Sequence, residues 1–491
     1  MLPLNPSFIV VTVMFASSFT TALNVAVVML PEFGHMGPLS TIVNEAASRH
    51  HHVDVYVAHW ARHHCLELIG DVANVSCIGF GNFTIEKFDA TFFERLTQLD
   101  HMSTFSIIEA EMLVYYRHAL QPLLDAINER VRVDIMLIDY GVAPVGLIVA
   151  DVLKLEAVLF WPLTLSTLGI TNPAIPAFAS ALSARSMPLL SRWSNHMFQR
   201  LSRIAMSWSA DNVNDVRESA SLPPLGYNHM FVNRLVLTPS LVGFDMAQPL
   251  CPNIVPLGFV LPPRDTTELP AEWLEWLNTC PLGFVYINMG SVASLKPEWV
   301  AVFESVVRQL SVCVIWKISN HQQRYLTESL PSRVRTQHWF PFSPRKLLAS
   351  PKIRLFVTHC GDTSVYESIF AGIPMVGVPL FADQPDVCAR LLDAKIGLVV
   401  SKFNLSADLL RSSIESVMTN RMFKNEAMLL RDFYLQQKPG PTLAVEILER
   451  TAAFGTKPFL CAEASTETFS IDVLLAVSFG IACLIMIIKR G

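Results

Sequence analysis

Residues 356–386 read F-V-T-H-C-G-D-T-S-V-Y-E-S-I-F-A-G-I-P-M-V-G-V-P-L-F-A-D-Q-P-D. The β-branched and aromatic run from Ile353 to Thr358 has the character of a strand buried on both faces of a parallel sheet. His359, Cys360 and Gly361 end it, and Ser364 to Ala371 takes up helical apolar spacing. Gly372 stands where a helix C-cap belongs, and Pro374 forbids continuation. The unit is therefore strand, tight turn, helix. In open α/β sheets ligands bind beyond the carboxyl ends of strands, and the free N–H groups of a helix N-terminus suit phosphate. His359 to Ser364 occupy that position, so the stretch reads as a nucleotide pocket.

At these residues the sequence resembles the donor-binding signature of the family 1 UDP-glycosyltransferases, which include the animal UDP-glucuronosyltransferases. The resemblance implies that His359 and Ser364 contact the diphosphate in a donor site that includes Gly361 and Thr363, and the Gly290-Ser291 turn is placed to meet the charge growing on the leaving group. It implies further that Glu367 meets the ribose, Asp383 and Gln384 the donor-sugar hydroxyls, and that Trp339, in Q-H-W-F-P-F, stacks on uracil. Other readings stay open. Ser364 and Glu367 also form S-x-x-E, a capping box; Trp339 also suits a core, and Asp383 a turn. The sequence departs from the family pattern at Phe342, where W-x-P-Q has Gln, and at Thr363 in place of Asn. Val387 likewise replaces an Asn, two extra residues follow Phe342, and Asp362 brings a carboxylate toward the diphosphate position.

The same alternation of apolar run and helix recurs along the chain. Asn24 to Leu30, Val53 to Ala58 and Ile135 to Ile138 read as strands of a first parallel sheet. Phe284 to Met289, Val312 to Trp316, Ile353 to Val357 and Met375 to Val378 read as strands of a second. A Pro-rich stretch separates the two. The expected organisation is an N-terminal acceptor domain over 23–255, a linker over 256–275, and a C-terminal UDP-sugar domain with a closing helix over 276–455. Two Rossmann-like domains facing a cleft make an α/β fold of GT-B type, and the absence of Gly-x-Gly-x-x-Gly after a first strand argues against a dehydrogenase.

His35, in P-E-F-G-H-M-G-P after the first strand, is the candidate base, since an imidazole titrates near neutrality. Asp139 ends the Ile135–Ile138 run and is placed to hold the other ring nitrogen, as in a catalytic triad. It is also a fitting helix N-cap. Asp134 precedes the strand and belongs at the opposite edge. The cluster His50, His51, His52, His59, His63, His64 and Cys65 lacks an H-E-x-x-H core, so no metal is expected. Nine Cys without regular spacing show no disulfide framework, although Cys65 and Cys77 are close enough in sequence to pair.

The chain has 491 residues, enough for two domains, and only 16% are charged against roughly a quarter in ordinary soluble domains. An apolar run from Phe8 to Ala16 followed by small residues predicts a signal peptide over 1–22. Residues 469–488 are apolar over about the length that spans a bilayer, and Lys489 and Arg490 begin a short tail, 489–491, that sets it in the cytoplasm. A single-pass type I protein follows, with its body in the lumen, and the family resemblance points to the endoplasmic reticulum. In that compartment Asn74, Asn82 and Asn404 lie in glycosylation sequons.

The expected activity is inverting, metal-independent transfer of a hexose or glucuronosyl group from a UDP-sugar to a hydroxyl of a lipophilic small molecule, with no cofactor beyond the co-substrate. The acceptor is expected against the Phe-, Met- and Leu-rich segments 91–116 and 163–206. The alternative is a non-catalytic sugar-nucleotide-binding membrane protein that regulates an active homologue. The expected partners are the donor, the acceptor, the membrane and, in a homo-oligomer, a second copy. A net charge of −5 excludes nucleic acid as the main partner.

Overall fold

The computed structural model describes residues 22–82, 90–99, 101–130, 132–163, 165–168, 175–178, 180–183, 185–226, 230–231, 233–245, 250–261, 268–290 and 293–460. The expected signal peptide up to residue 21, Ser291, and the expected membrane span and tail lie outside the described residues. Among the described residues no helix is long and apolar enough to cross a membrane.

Two parallel sheets carry the fold. The first holds β1 (Asn24–Val28), β2 (His52–Ala58), β3 (Val75–Phe80), β4 (Ile135–Asp139), β5 (Ala157–Phe160), β6 (Leu235–Thr238) and β7 (Ile254–Pro256). The second holds β8 (Phe284–Asn288), β9 (Cys313–Lys317), β10 (Val334–Gln337), β11 (Ile353–Thr358), β12 (Met375–Gly377) and β13 (Gly397–Val399). Strand order is β3-β2-β1-β4-β5-β6-β7 in the first and β10-β9-β8-β11-β12-β13 in the second. Order therefore reverses between β1 and β4, and again between β8 and β11. At such points adjacent crossovers run to opposite faces and leave a crevice at the strand ends. Helices cover both faces, which is why the central strands are apolar throughout: Ile135 to Ile138 are fully buried.

Two boundaries differ from the sequence reading. The helix Ala271–Asn278 falls partly inside the expected linker, yet Trp273 and Leu277 are buried in the core of the second domain, together with Leu241 and Phe244 from the first half of the chain. The closing helix Gly440–Phe454 belongs by packing to the first domain. Its Ala444, Val445, Ile447 and Leu448 join the core of the first sheet, and its Glu449 meets His51 Nε2 at 3.0 Å. Gly440 permits this return, because a Cβ there would lie 2.5 Å from the Phe259 carbonyl oxygen.

The cysteines also depart from the expectation of no framework. Cys65–Cys77, Cys280–Cys313 and Cys360–Cys388 are disulfides, each joining segments that are brought together by adjacent strands or their helices rather than by sequence spacing.

Candidate active site

Both switch points place chemistry at the strand ends. β1 leads into the helix Phe33–Ser48, whose first turn carries His35, while β4 ends at Asp139. His35 Nδ1 lies 2.9 Å from Asp139 Oδ1 and 3.1 Å from Oδ2. A carboxylate only accepts, so Nδ1 carries the hydrogen and Nε2 offers its lone pair. Asp139 is 0% exposed, and its Oδ1 also accepts from Gly141 N at 2.7 Å. Both readings of Asp139 thus hold together: it caps the next helical turn and orients the imidazole. The Tyr116 hydroxyl donates to the Gly141 carbonyl at 3.0 Å and braces that turn. Burial disfavours the His35 cation, but Asp139, Glu32 and Asp383 outweigh it and raise the pKa above the ordinary value. Asp134 is at the opposite edge, accepting from Asn24 N at 2.8 Å.

In the second domain β11 ends at Thr358, and the helix Asp362–Ala371 begins two residues earlier than the sequence spacing suggests, with Gly361 at its N-cap. Ser364 therefore lies inside the first turn and not at the cap, so the capping-box reading of Ser364 and Glu367 fails. His359 fills the space between two glycines: a Cβ at Gly290 would meet its Nε2 at 2.8 Å, and one at Gly361 at 2.6 Å. Burial first, then Lys317, lowers the His359 pKa to about 4. This imidazole is therefore neutral at physiological pH, able to hydrogen-bond but carrying no charge.

Beside His359 lies the cation Lys317, a residue the sequence reading missed. Its Nζ donates to the Gly290 carbonyl at 3.4 Å and lies 4.8 Å from the Trp339 ring centroid. Burial lowers its pKa. The signal was present, since Lys317 ends β9 beside β8 at the same sheet edge as His359. Trp339 is 52% exposed, which removes the core reading. Phe342 corrects the donor-binding expectation: its ring is turned into the aromatic cluster, with Trp273 and Phe340 each 5.3 Å away. A phenyl group cannot replace the amide of a Gln at a ribose, and packing decides its orientation.

Glu367 lies on the helix face shared with Phe370. It borders a cavity of about 890 Å³ that opens toward the other end of the sheet and includes Arg345 and Lys424. Burial, opposed by Arg345, raises its pKa to about 7. Asp383 sits across the cleft from His35 as its electrostatic neighbour. Gln384 folds back, its Oε1 accepting from Leu380 N at 2.9 Å and Phe381 N at 3.1 Å, so only its amide nitrogen is left for a ligand. Asp362 does not face the diphosphate position: its carboxyl is buried against Asp383 and Asp245.

Contacts between the domains hold the two switch points face to face. Thr363 Oγ1 donates to the Gly34 carbonyl at 3.5 Å, and Ala181 N to Asp386 Oδ1 at 3.0 Å. The buried Lys402 ammonium donates to the carbonyls of Thr97, at 2.8 Å, and Leu99, at 2.6 Å, as well as to that of Leu380. Among the described residues no group of three or more His, Cys, Asp or Glu is placed to hold a metal ion.

Comparison with known proteins agrees with this geometry. Residues 80–446 match the family model described as UDP-glucoronosyl and UDP-glucosyl transferase. Human UDP-glucuronosyltransferase 3A2 is 30% identical over 254 residues, covering 48% of this chain and 47% of that protein. Rat UDP-glucuronosyltransferase 2A1 is 32% identical over 249 residues, covering 49% and 45%. The matched region thus spans about half the length of these curated relatives. Among solved structures, a UDP-glucosyltransferase from Polygonum tinctorium superposes with a TM-score of 0.63 at 18% identity, covering 89% of this chain and all of that one. The calicheamicin glycosyltransferase CalG4 gives the same TM-score at 15% identity, over 89% and 99%. At these identities the structures establish a shared GT-B-like architecture of two parallel sheets.

Proposed function

Because this chain belongs to the UDP-glucoronosyl and UDP-glucosyl transferase family, whose model covers residues 80–446, we propose that it transfers a hexose or hexuronate from a UDP-sugar to a hydroxyl of a lipophilic small molecule. The observation that carries this reading is the His35–Asp139 pair held opposite Asp383 across the cleft. Asp139 keeps the Nδ1 hydrogen in place, and His35 Nε2 takes the acceptor hydroxyl proton as the oxygen attacks the anomeric carbon. The bond from that carbon to the diphosphate breaks, UDP leaves, and a single displacement inverts the sugar. Lys317, the N-terminus of the helix Asp362–Ala371 and the neutral His359 meet the charge that develops on the leaving group. With those groups in place the reaction needs no metal or cofactor.

The acceptor would enter beside Tyr115 and Tyr116, both buried near Asp139. The apolar sequence over 469–488 supports a single membrane anchor, and the apolar run before Ala22 supports delivery of the body to the lumen of the endoplasmic reticulum. Exposed Asn74, Asn82 and Asn404 then become glycosylation sites. UDP release from a panel of UDP-sugars with a phenolic acceptor, parent against His35→Ala, tests the reaction. Parent turnover no faster than the variant would overturn it. UDP binding without turnover would instead favour the non-catalytic regulator.

A further inference from the structure

The sugar end of the donor site contains buried carboxyls with too few donors to satisfy them. Asp362 and Asp383 are each 8% exposed. Neither Asp362 oxygen, nor Asp383 Oδ2, meets an N–H or hydroxyl donor among the described residues, and the two carboxyls face one another. Asp245 lies beside them; its Oδ2 accepts from Leu241 N at 2.9 Å and from the Tyr366 hydroxyl at 3.0 Å, and its Oδ1 is 3.2 Å from Arg390 Nε. His35 is the neighbour of Asp383 on the cleft side. Burial, then Asp383 and Asp245, push the Asp362 carboxyl well above the usual carboxylate range, with Arg390 opposing. Burial and these two neighbours therefore favour the protonated Asp362 carboxyl, the form that can donate to Asp383.

We propose that Asp362 is a donor-specificity residue: paired with Asp383, it makes the sugar subsite accept an uncharged hexose and turn away a hexuronate. This deepens the transferase reading and rests on it. A neutral hexose brings hydroxyls, each of which can donate to the idle carboxyl oxygens and satisfy them. A hexuronate brings a further carboxylate to a buried site where the Asp362, Asp383 and Asp245 carboxyls face one guanidinium, that of Arg390, so its binding draws in a proton. Arg390 is the competing consideration, since its Nη1 and Nη2 also lack hydrogen-bond partners among the described residues. It is 4% exposed, however, and its charge is already shared among Asp245, Asp362 and Asp383. The carboxyls of the cluster already outnumber this guanidinium, and a uronate enlarges the imbalance.

The test is calorimetric titration of the full chain in detergent with UDP, UDP-glucose and UDP-glucuronate in buffers of differing ionisation enthalpy. The expected result is UDP-glucuronate binding at least tenfold weaker than UDP-glucose, with net proton uptake for the uronate alone. Asp362→Asn keeps the size of the side chain and supplies two N–H donors, one for Asp383 and one for a uronate. It should narrow the gap to within about threefold and abolish the proton uptake, by the charge-satisfaction reasoning above. Parent affinities within threefold of one another would overturn the proposal, and so would a gap that persists unchanged in Asp362→Asn. Failure of UDP itself to bind would overturn the transferase reading instead, so the two failures are distinguishable.

Discussion

Replacing Lys317 by Met separates the charge of the donor site from its shape. The methionine keeps the length of the side chain over Trp339 but removes the ammonium that lies 3.4 Å from the Gly290 carbonyl and 4.8 Å from the indole. His359 supplies no compensating charge, since its pKa of about 4 leaves it neutral. A hydrogen bond to a charged group contributes about 1.5–3 kcal/mol. At 1.4 kcal/mol per decade, UDP should bind roughly 10- to 150-fold more weakly. Uridine, which has no phosphate, should bind the variant and the parent alike. Lys317 also holds the His359 pKa down, so the imidazole should titrate at higher pH in the variant. Calorimetry with both ligands and NMR titration of His359 provide the readouts. Equal losses for UDP and uridine would mean that Lys317 shapes the base platform, and no loss for either would remove it from the site; both results refute a phosphate role.

Asp139→Asn should lower kcat by about 10²- to 10⁴-fold with UDP affinity unchanged, and because Asp139 raises the His35 pKa, the acid limb of the pH profile should move to lower pH; an alkaline shift would contradict the pairing. Glu367 is the reverse of the usual carboxylate case. Its folded pKa of about 7 exceeds the ordinary 4.5, so the folded state holds the extra proton and loses stability as pH rises through that window. At 1.36 kcal/mol per unit this amounts to at most about 3.4 kcal/mol, reduced by the solvent screening of a partly exposed group. Glu367→Gln should flatten the stability profile measured in denaturant, and parallel curves for parent and variant would dismiss the assignment. Removing the Cys360–Cys388 bridge with two alanines should cost about 2–4 kcal/mol of stability and raise the KM for donor more than for acceptor, because the bridge joins the His359 turn to the helix that follows Asp383. A change confined to the acceptor KM would show that the bridge does not shape the donor half.

The parts of this fold that were legible in the sequence are those whose signal is local. Ile135–Asp139 and Ile353–Thr358 are buried on both faces, so their apolar character is continuous and their ends are sharp. Both switch points can then be located, and with them His35, Asp139 and His359. What was not legible depends on partners distant in sequence. The apolar face of Gly440–Phe454 announces a packed helix but not which domain it packs against. Phe342 occupies a motif position, yet Trp273, from a helix hidden in the apparent linker, draws its ring into the core. Cys360 and Cys388 lie on separate elements joined only by the sheet order. Lys317 was legible in principle: the rule that located Asp139 at the end of β4 applies equally to the end of β9.

Two of the ties between the domains differ in what breaking them requires, and that difference bears on how the cleft would open. At one side the chain crosses twice, through Leu257–Phe259 and again at Gly440, with backbone packed so closely that no Cβ fits. The returning helix adds apolar burial and the contacts of Glu449 with His51 and Arg49. At the other side Lys402 is 3% exposed and bonded to carbonyls of both domains. Pulling the domains apart there exposes an ammonium to water, which solvates it well, whereas pulling them apart at the crossing exposes the apolar helix face. An opening of the cleft should therefore pivot on the crossing and part at Lys402. Spin-label distances across Lys402 and across Gly440 check this: with and without UDP the first should change more than the second, and an equal change at both would contradict the pivot.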